Sequence, residues 1–112
     1  MKLSGLLRLR TSQGPAIEFS HTCFCAGGTS VGWSAVHSIH GCKLDLVTVD
    51  EIRILVAYDG GHTLELSEEQ DGYESFVAKA EQMYRFPEGW WSLLAHPAFA
   101  LNEMTLFRRD PE

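Results

Sequence analysis

Residues 31–73 constrain the fold more than any other part of the chain. In this segment the tripeptide Asp59-Gly60-Gly61 stands between two runs that are rich in β-branched and apolar residues. These three residues tolerate the positive φ angles that tight hairpin turns require. We therefore predict a hairpin with strands over residues 51–58 and 62–66, preceded by a strand that begins at Trp33.

The strand before this turn has a clear inward face. Side chains alternate across a strand, so every second residue points to the same side. One side carries Ile52, Ile54, Val56 and Tyr58. The other side carries Arg53, Leu55 and Ala57 and is half apolar. We expect the first face to form the core and the second to be partly covered.

An amphipathic helix is predicted after the hairpin. Ser67 is a candidate N-cap, with Gln70 three residues later to complete a capping box and Leu66 in front of the cap. Apolar residues then recur at helical spacing up to about Met83: Tyr73, Phe76, Val77, Ala80 and Tyr84. Pro87 predicts a short second helix, and a last strand is predicted over residues 103–109.

The chain upstream of Trp33 contains two more segments with apolar character: residues 3–10 form a first strand or an arm that packs on the sheet, and residues 16–25 form a candidate strand. Pro15 and Gly14 separate them. Residues 26–30 are expected to form a loop. The strand that begins at Trp33 is expected to be interrupted at Gly41, and residues 43–49 either extend it or start the next strand.

Together these elements predict one α+β domain over residues 1–112. Most of it is antiparallel sheet, in a meander or a barrel, capped by the C-terminal amphipathic helix and the short second helix. A chain of this length buries roughly two-thirds of its unfolded surface and needs no disulfide to fold. Its three cysteines are therefore expected to be reduced thiols.

Charge and hydropathy exclude several functions. A net charge of −6, with nine lysines and arginines, argues against a binder of nucleic acid or of anionic membranes. No segment approaches the roughly 20 uninterrupted apolar residues of a membrane span. The first ten residues, MKLSGLLRLR, are too short and too charged for a signal peptide. We expect a cytoplasmic protein.

The strand, loop, Val31-Gly32-Trp33, Gly-turned hairpin and capping helix resemble the pleckstrin-homology-like folds of small bacterial proteins. This resemblance covers residues 16–84. The block WWSLLAHPAFALNEMTLFRR is similar to a short uncharacterised bacterial family with paired aromatics and a Pro-Ala-Phe element. The resemblance implies an adaptor or immunity-type role. The basic loop with which the lipid-binding branch of the fold holds phosphoinositides has no counterpart here.

Cysteine and histidine residues form the first candidate site. Thiolates and imidazoles are the usual ligands of Zn²⁺. Strand alternation puts Cys23 and Cys25 on one face and His40 and Cys42 on one face, so these four residues converge if their strands are neighbours. The alternative is that the cysteines are small buried hydrophobes. A thiol nucleophile paired with His37 or His40 is a weaker option.

Trp90 and Trp91 form the second candidate site. Adjacent helical residues lie about 100° apart, so both rings are buried only if a wide arc of the helix is covered. An exposed tryptophan would serve as an interface anchor. We therefore expect a small non-catalytic interaction domain that binds another protein or itself, without a cofactor. A zinc-binding or thiol-dependent protein is the alternative.

Overall fold

The computed structural model describes residues 14–45, 50–96 and 102–109. It contains two antiparallel sheets and two α-helices, which confirms the α+β class. The first sheet has the order β1-β2-β3, and the second has the order β6-β5-β4-β7. The elements are β1 (Ile17–Phe19), β2 (Cys23–Ala26), β3 (Thr29–Gly32), β4 (Val36–Asp45), β5 (Asp50–Tyr58), β6 (His62–Ser67), α1 (Tyr73–Tyr84), α2 (Trp90–Ala95) and β7 (Asn102–Arg108).

The central hairpin has the predicted form. Asp59, Gly60 and Gly61 have φ angles of 46°, 69° and 150° and connect β5 to β6. The predicted inner face of β5 is buried, with Ile52 and Ile54 at most 3% exposed. The predicted strand near the C-terminus is also confirmed, because β7 pairs with β4.

The two sheets do not join into a closed barrel over the described residues. The strand expected to begin at Trp33 begins instead at Val36, after a 3-10 turn over Trp33–Ala35. The indole of Trp33 lies in the core at this break, where its Nε1 donates to Ser20 O at 2.9 Å and its ring packs on Phe24 and Phe76. The ring therefore ties the segment in front of β4 to β2 and to α1.

The single strand predicted over residues 16–25 is wrong, because the chain turns within it. Ser20 closes the turn between β1 and β2, and its Oγ accepts hydrogen bonds from the backbone N–H groups of Thr22 and Cys23 at 3.2 and 3.4 Å. The residues expected to form a loop then supply a second hairpin. Gly27 and Gly28 have φ angles of 59° and 86° and connect β2 to β3.

Ser67 does not begin the helix. Half of a capping box forms between Ser67 and Gln70, because Gln70 Oε1 accepts from Ser67 N at 2.6 Å. Ser67 Oγ accepts from Glu69 N at 3.1 Å, one residue before Gln70. These bonds close a turn. Helix α1 begins at Tyr73, six residues after Ser67, because Gly72 has a φ of 87° and its carbonyl accepts the first helical bond from Phe76 N.

Both helices pack on the sheets through apolar faces. Tyr73, Phe76 and Ala80 of α1 are buried, as the periodicity predicted. Gly41 does not interrupt β4. A Cβ atom at Gly41 would lie 2.9 Å from Leu94 Cδ2, so the glycine lets α2 approach the middle of the strand.

Two predictions fall partly or wholly outside the described residues. These are the strand over residues 3–10 and the end of the segment 43–49, of which the structure describes only the part up to Asp45. No described helix is long and apolar enough to cross a membrane.

Candidate functional site: the short helix α2

Helix α2 is built to hold a fixed orientation. Gly89 precedes it with a φ of 75°, and the first turns are closed by bonds from Trp90 N to Pro87 O and from Leu93 N to Gly89 O. Its C-terminal carbonyls are also bonded by side chains that come from the sheet. A helix of six residues has little intrinsic stability, so these tertiary contacts determine whether it forms.

Lys43 and Asn102 bond the C-terminal end of α2. Asn102 Nδ2 lies within 3.1 Å of the carbonyl oxygens of Leu93, Leu94 and His96. Lys43 is 1% exposed, and its Nζ donates to Ala95 O at 2.8 Å. A cation at the C-terminus of a helix also interacts favourably with the negative end of the helix dipole. Sequence analysis did not single out either residue, because each acts on a segment that is distant in the chain.

Trp90 anchors the helix in the core. Its side chain is 4% exposed, its Nε1 donates to Glu81 Oε2, and its ring meets Phe86 edge-on with centroids 5.6 Å apart. Leu94, one turn later on the same face, is fully buried. The structure therefore places Trp90, one of the two predicted interface residues, inside the molecule.

Trp91 and Leu93 are exposed on the same helix. Trp91 is 50% exposed and Leu93 is 61% exposed, which makes them the most exposed large apolar residues in the described ranges. At 100° per residue they lie on opposite flanks of the exposed side, with Ser92 between them. A partner that contacts both side chains must therefore have a groove into which the exposed side of the helix fits.

The four predicted zinc ligands lie in two different sheets. Cys23 and Cys25 belong to β2, and His40 and Cys42 belong to β4, which is paired only with β5 and β7 among the described strands. His40 Nδ1 lies 3.1 Å from Thr105 Oγ1. No group of three or more His, Cys, Asp or Glu residues within the described ranges is arranged to hold a metal ion. The condition for a four-ligand zinc site, neighbouring strands, is not met.

The three thiols lie in different environments. All are free and half-buried. Hydrogen bonding by Ser30, and then by Ser20, lowers the pKa of Cys23. Burial raises the pKa of Cys42, and the carboxylate of Glu65 acts in the same direction.

A groove of about 360 Å³ that contains several charged side chains lies where the two sheets meet. Glu51, which is 6% exposed, accepts hydrogen bonds from Ser67 Oγ and from Arg53 Nε at 3.0 Å. Arg53 also contacts Glu65 at 2.5 Å, and the Glu51 carboxylate raises the pKa of the guanidinium. Because the charged groups of this groove bond to one another, we interpret it as a structural network. The sequence pattern placed Arg53 on this outer face but did not identify the network.

Tyr84 leads to a prediction about alkaline pH. Its hydroxyl donates to Trp33 O at 2.6 Å, and burial raises the pKa of Tyr84 to about 12. Because the folded pKa lies above the ordinary value of about 10, the folded state keeps a proton that the unfolded chain has already lost. This contribution to stability is complete below about pH 10 and is lost as the pH rises through about 12.

We expect the urea midpoint of the native protein to fall more steeply above about pH 10 than that of Tyr84→Phe. Tyr58→Phe, which removes the hydroxyl of a half-buried tyrosine in β5, is the matched control and should keep the native pH dependence. Parallel pH profiles for the native protein and Tyr84→Phe would contradict the assignment.

Comparisons with known proteins identify no relative of this chain. No protein-family model matches it, and neither a curated protein nor a solved structure is significantly similar to it.

Proposed function

We propose that this protein is a small non-catalytic interaction domain that uses α2 to bind another protein. The observation that carries the proposal is the division between two adjacent tryptophans, with Trp90 in the core and Trp91 half-exposed. Tryptophan is enriched among the residues that supply most of the binding energy at protein interfaces. A fixed helix that presents such a residue loses little conformational entropy when it binds.

The partner that fits best is a protein with an apolar groove bordered by basic residues. An amphipathic helix commonly binds by placing its apolar side chains in such a groove. We expect the border of the groove to be basic, because this protein has a net charge of −6 and opposite charges attract. Between residues 68 and 88 the acidic side chains outnumber the basic ones by six to two: Glu68, Glu69, Asp71, Glu74, Glu81 and Glu88 against Lys79 and Arg85.

Two of these acidic residues lie at the helix itself. Glu88 is exposed and stands three residues before Trp91, and Glu81 is bonded to Trp90. Opposite charge on the partner would accelerate association and set its orientation. The affinity should then fall as salt is added, because exposed charges are screened over roughly 10 Å at about 0.1 M ionic strength.

Two finer parts of the proposal come from the resemblance described above: a pleckstrin-homology-like relationship and an adaptor or immunity-type role. A cytoplasmic location comes from the sequence pattern of the N-terminal residues and the hydropathy. The antiparallel sheets and the helix after the central hairpin are compatible with that relationship.

Capture from a lysate followed by titration tests the proposal. The bait proteins are the native chain, Trp91→Ala, Leu93→Ala and the control Phe19→Ala, which removes an exposed aromatic side chain from β1. We expect a basic protein that the native chain and Phe19→Ala retain and that both α2 variants lose. With that protein purified, Trp91→Ala should weaken binding by about 30-fold or more, as loss of an interface hot spot does.

Three outcomes would contradict the proposal. The first is a partner whose affinity is the same for the native chain and Trp91→Ala. The second is binding that does not depend on salt. The third is a native homodimer in light scattering that Trp91→Ala makes monomeric, because the occupant of α2 would then be a second copy of this chain.

A further inference from the structure

Cys23 and Cys25 lie together on one face of β2. They alternate with Phe24 and Ala26, which are buried, so both cysteines point to the opposite, half-exposed side of the first sheet. Successive residues on the same face of a strand are roughly 6.6 Å apart along the chain. The two thiols are therefore neighbours on the same partly solvent-exposed face of the sheet.

The neighbouring strands leave space above this pair. Cys23 is paired with Gly32 of β3, which has no side chain to cover it. Cys25 is paired with Ser30 on one side and with Glu18 of β1 on the other. Gly32 therefore adds no side chain beside Cys23, and the nearest side chains to its sulfur are hydroxyls.

Two hydroxyl groups also support a thiolate at Cys23. Ser30 Oγ donates to Cys23 Sγ at 3.7 Å, and Ser20 Oγ lies 3.9 Å from the same sulfur. The thiolate is the form of cysteine that binds metal ions. Ser20 lies in the turn between β1 and β2, and Ser30 lies in β3 opposite Cys25, so the fold of this sheet sets the positions of both hydroxyls.

We propose that Cys23 and Cys25 form a two-coordinate site for a soft monovalent cation, with Cu⁺ as the biological example. Soft thiolate ligands select Cu⁺, whereas Zn²⁺ in structural sites takes four ligands that this face does not provide among the described residues. Metal–sulfur bonds of about 2.3 Å place two sulfurs on opposite sides of an ion roughly 4.6 Å apart. Side chains that lean toward each other along the strand can reach this separation.

Binding needs no redox step. Cu⁺ forms two sulfur–copper bonds, the two S–H bonds break, and two protons leave to solvent. The oxidation states of copper and sulfur do not change. The product carries one negative charge, and the hydroxyls of Ser20 and Ser30 are placed to stabilise it.

Competition for Cu⁺ tests the site. The full chain is reduced, kept under nitrogen with ascorbate, and titrated into the coloured Cu⁺ complex of bicinchoninate. We expect the native protein to withdraw one Cu⁺ per chain. Cys23→Ser and Cys25→Ser should each weaken binding by more than about tenfold, since even the outer partners of a metal ligand change affinity by about 10–100-fold. Cys42→Ser, which removes the third free thiol, is the matched control and should bind as the native protein does.

Several results would overturn the assignment. Failure of the folded native protein to withdraw copper would do so directly. Equal loss in Cys42→Ser would show that binding is not specific to β2. Displacement of the copper by excess Zn²⁺ would show that the site does not select a soft monovalent ion. Circular dichroism of each variant verifies folding, and Ser30→Ala, which retains both thiols, is expected to weaken Cu⁺ binding less than either cysteine substitution.

Discussion

Replacing Trp90 with alanine is expected to lower the free energy of unfolding by about 3–5 kcal/mol, whereas replacing Trp91 should change it by no more than about 0.5 kcal/mol. The first substitution leaves a cavity in the core and deprives Glu81 Oε2 of its indole donor. The second removes a ring that is 50% exposed. Urea unfolding followed by circular dichroism measures both effects.

Trp90→Phe refines this comparison. It keeps an aromatic ring beside Phe86 but removes the N–H that donates to Glu81. We expect a loss of about 1.5–3 kcal/mol, typical of a hydrogen bond to a charged group. Equal losses for Trp90→Ala and Trp91→Ala would mean that α2 does not divide the two rings between core and solvent.

The second large effect is expected at Gly72. A Cβ atom at this position would lie 2.1 Å from the carbonyl oxygen of Ile17, a backbone atom that cannot move without displacing β1. The φ of Gly72 is 87°, which also disfavours any residue with a side chain. Since Ile17 N donates to Asp71 O at 2.8 Å, the start of α1 and β1 are joined at this contact. We expect Gly72→Ala to cost more than about 4 kcal/mol.

Gly89→Ala is the matched control. Gly89 also precedes a helix with a positive φ, 75°, but a Cβ atom there meets nothing within 4 Å. Its substitution should cost only about 1–2 kcal/mol, the penalty for a left-handed residue with a side chain. If urea unfolding gives the same loss for both variants, the close contact between Gly72 and Ile17 does not exist in solution.

Local patterns in the sequence predicted the parts of the fold that depend on neighbouring residues. The Asp59-Gly60-Gly61 turn, the inner face of β5 and the apolar face of α1 all follow from spacing within a few residues. The errors occurred where contacts with residues distant in the sequence determine the local conformation. Trp33 begins a 3-10 turn where its ring enters the core. Ser67 bonds to Gln70 in a turn, and the helix begins only after Gly72, whose carbonyl accepts the first helical bond.

The candidate site shows the same limit. Sequence analysis named Trp90 and Trp91 together, since both are apolar and adjacent, but only the fold shows which ring faces the core. Lys43 and Asn102, which bond the end of α2, lie far from it in sequence. The pair Cys23 and Cys25 followed from strand alternation, whereas its separation from His40 and Cys42 depends on the assignment of β2 and β4 to different sheets.

Fluorine NMR of the protein labelled with 5-fluorotryptophan tests the central claim, that α2 is anchored by Trp90 and presents Trp91 outward. The chain has three tryptophans, so three resonances are expected. Exchange of H₂O for D₂O should shift one of them strongly, and Trp91→Phe should remove that resonance, because Trp33 and Trp90 are at most 5% exposed. A strong solvent shift for Trp90, or equal shifts for Trp90 and Trp91, would contradict the account.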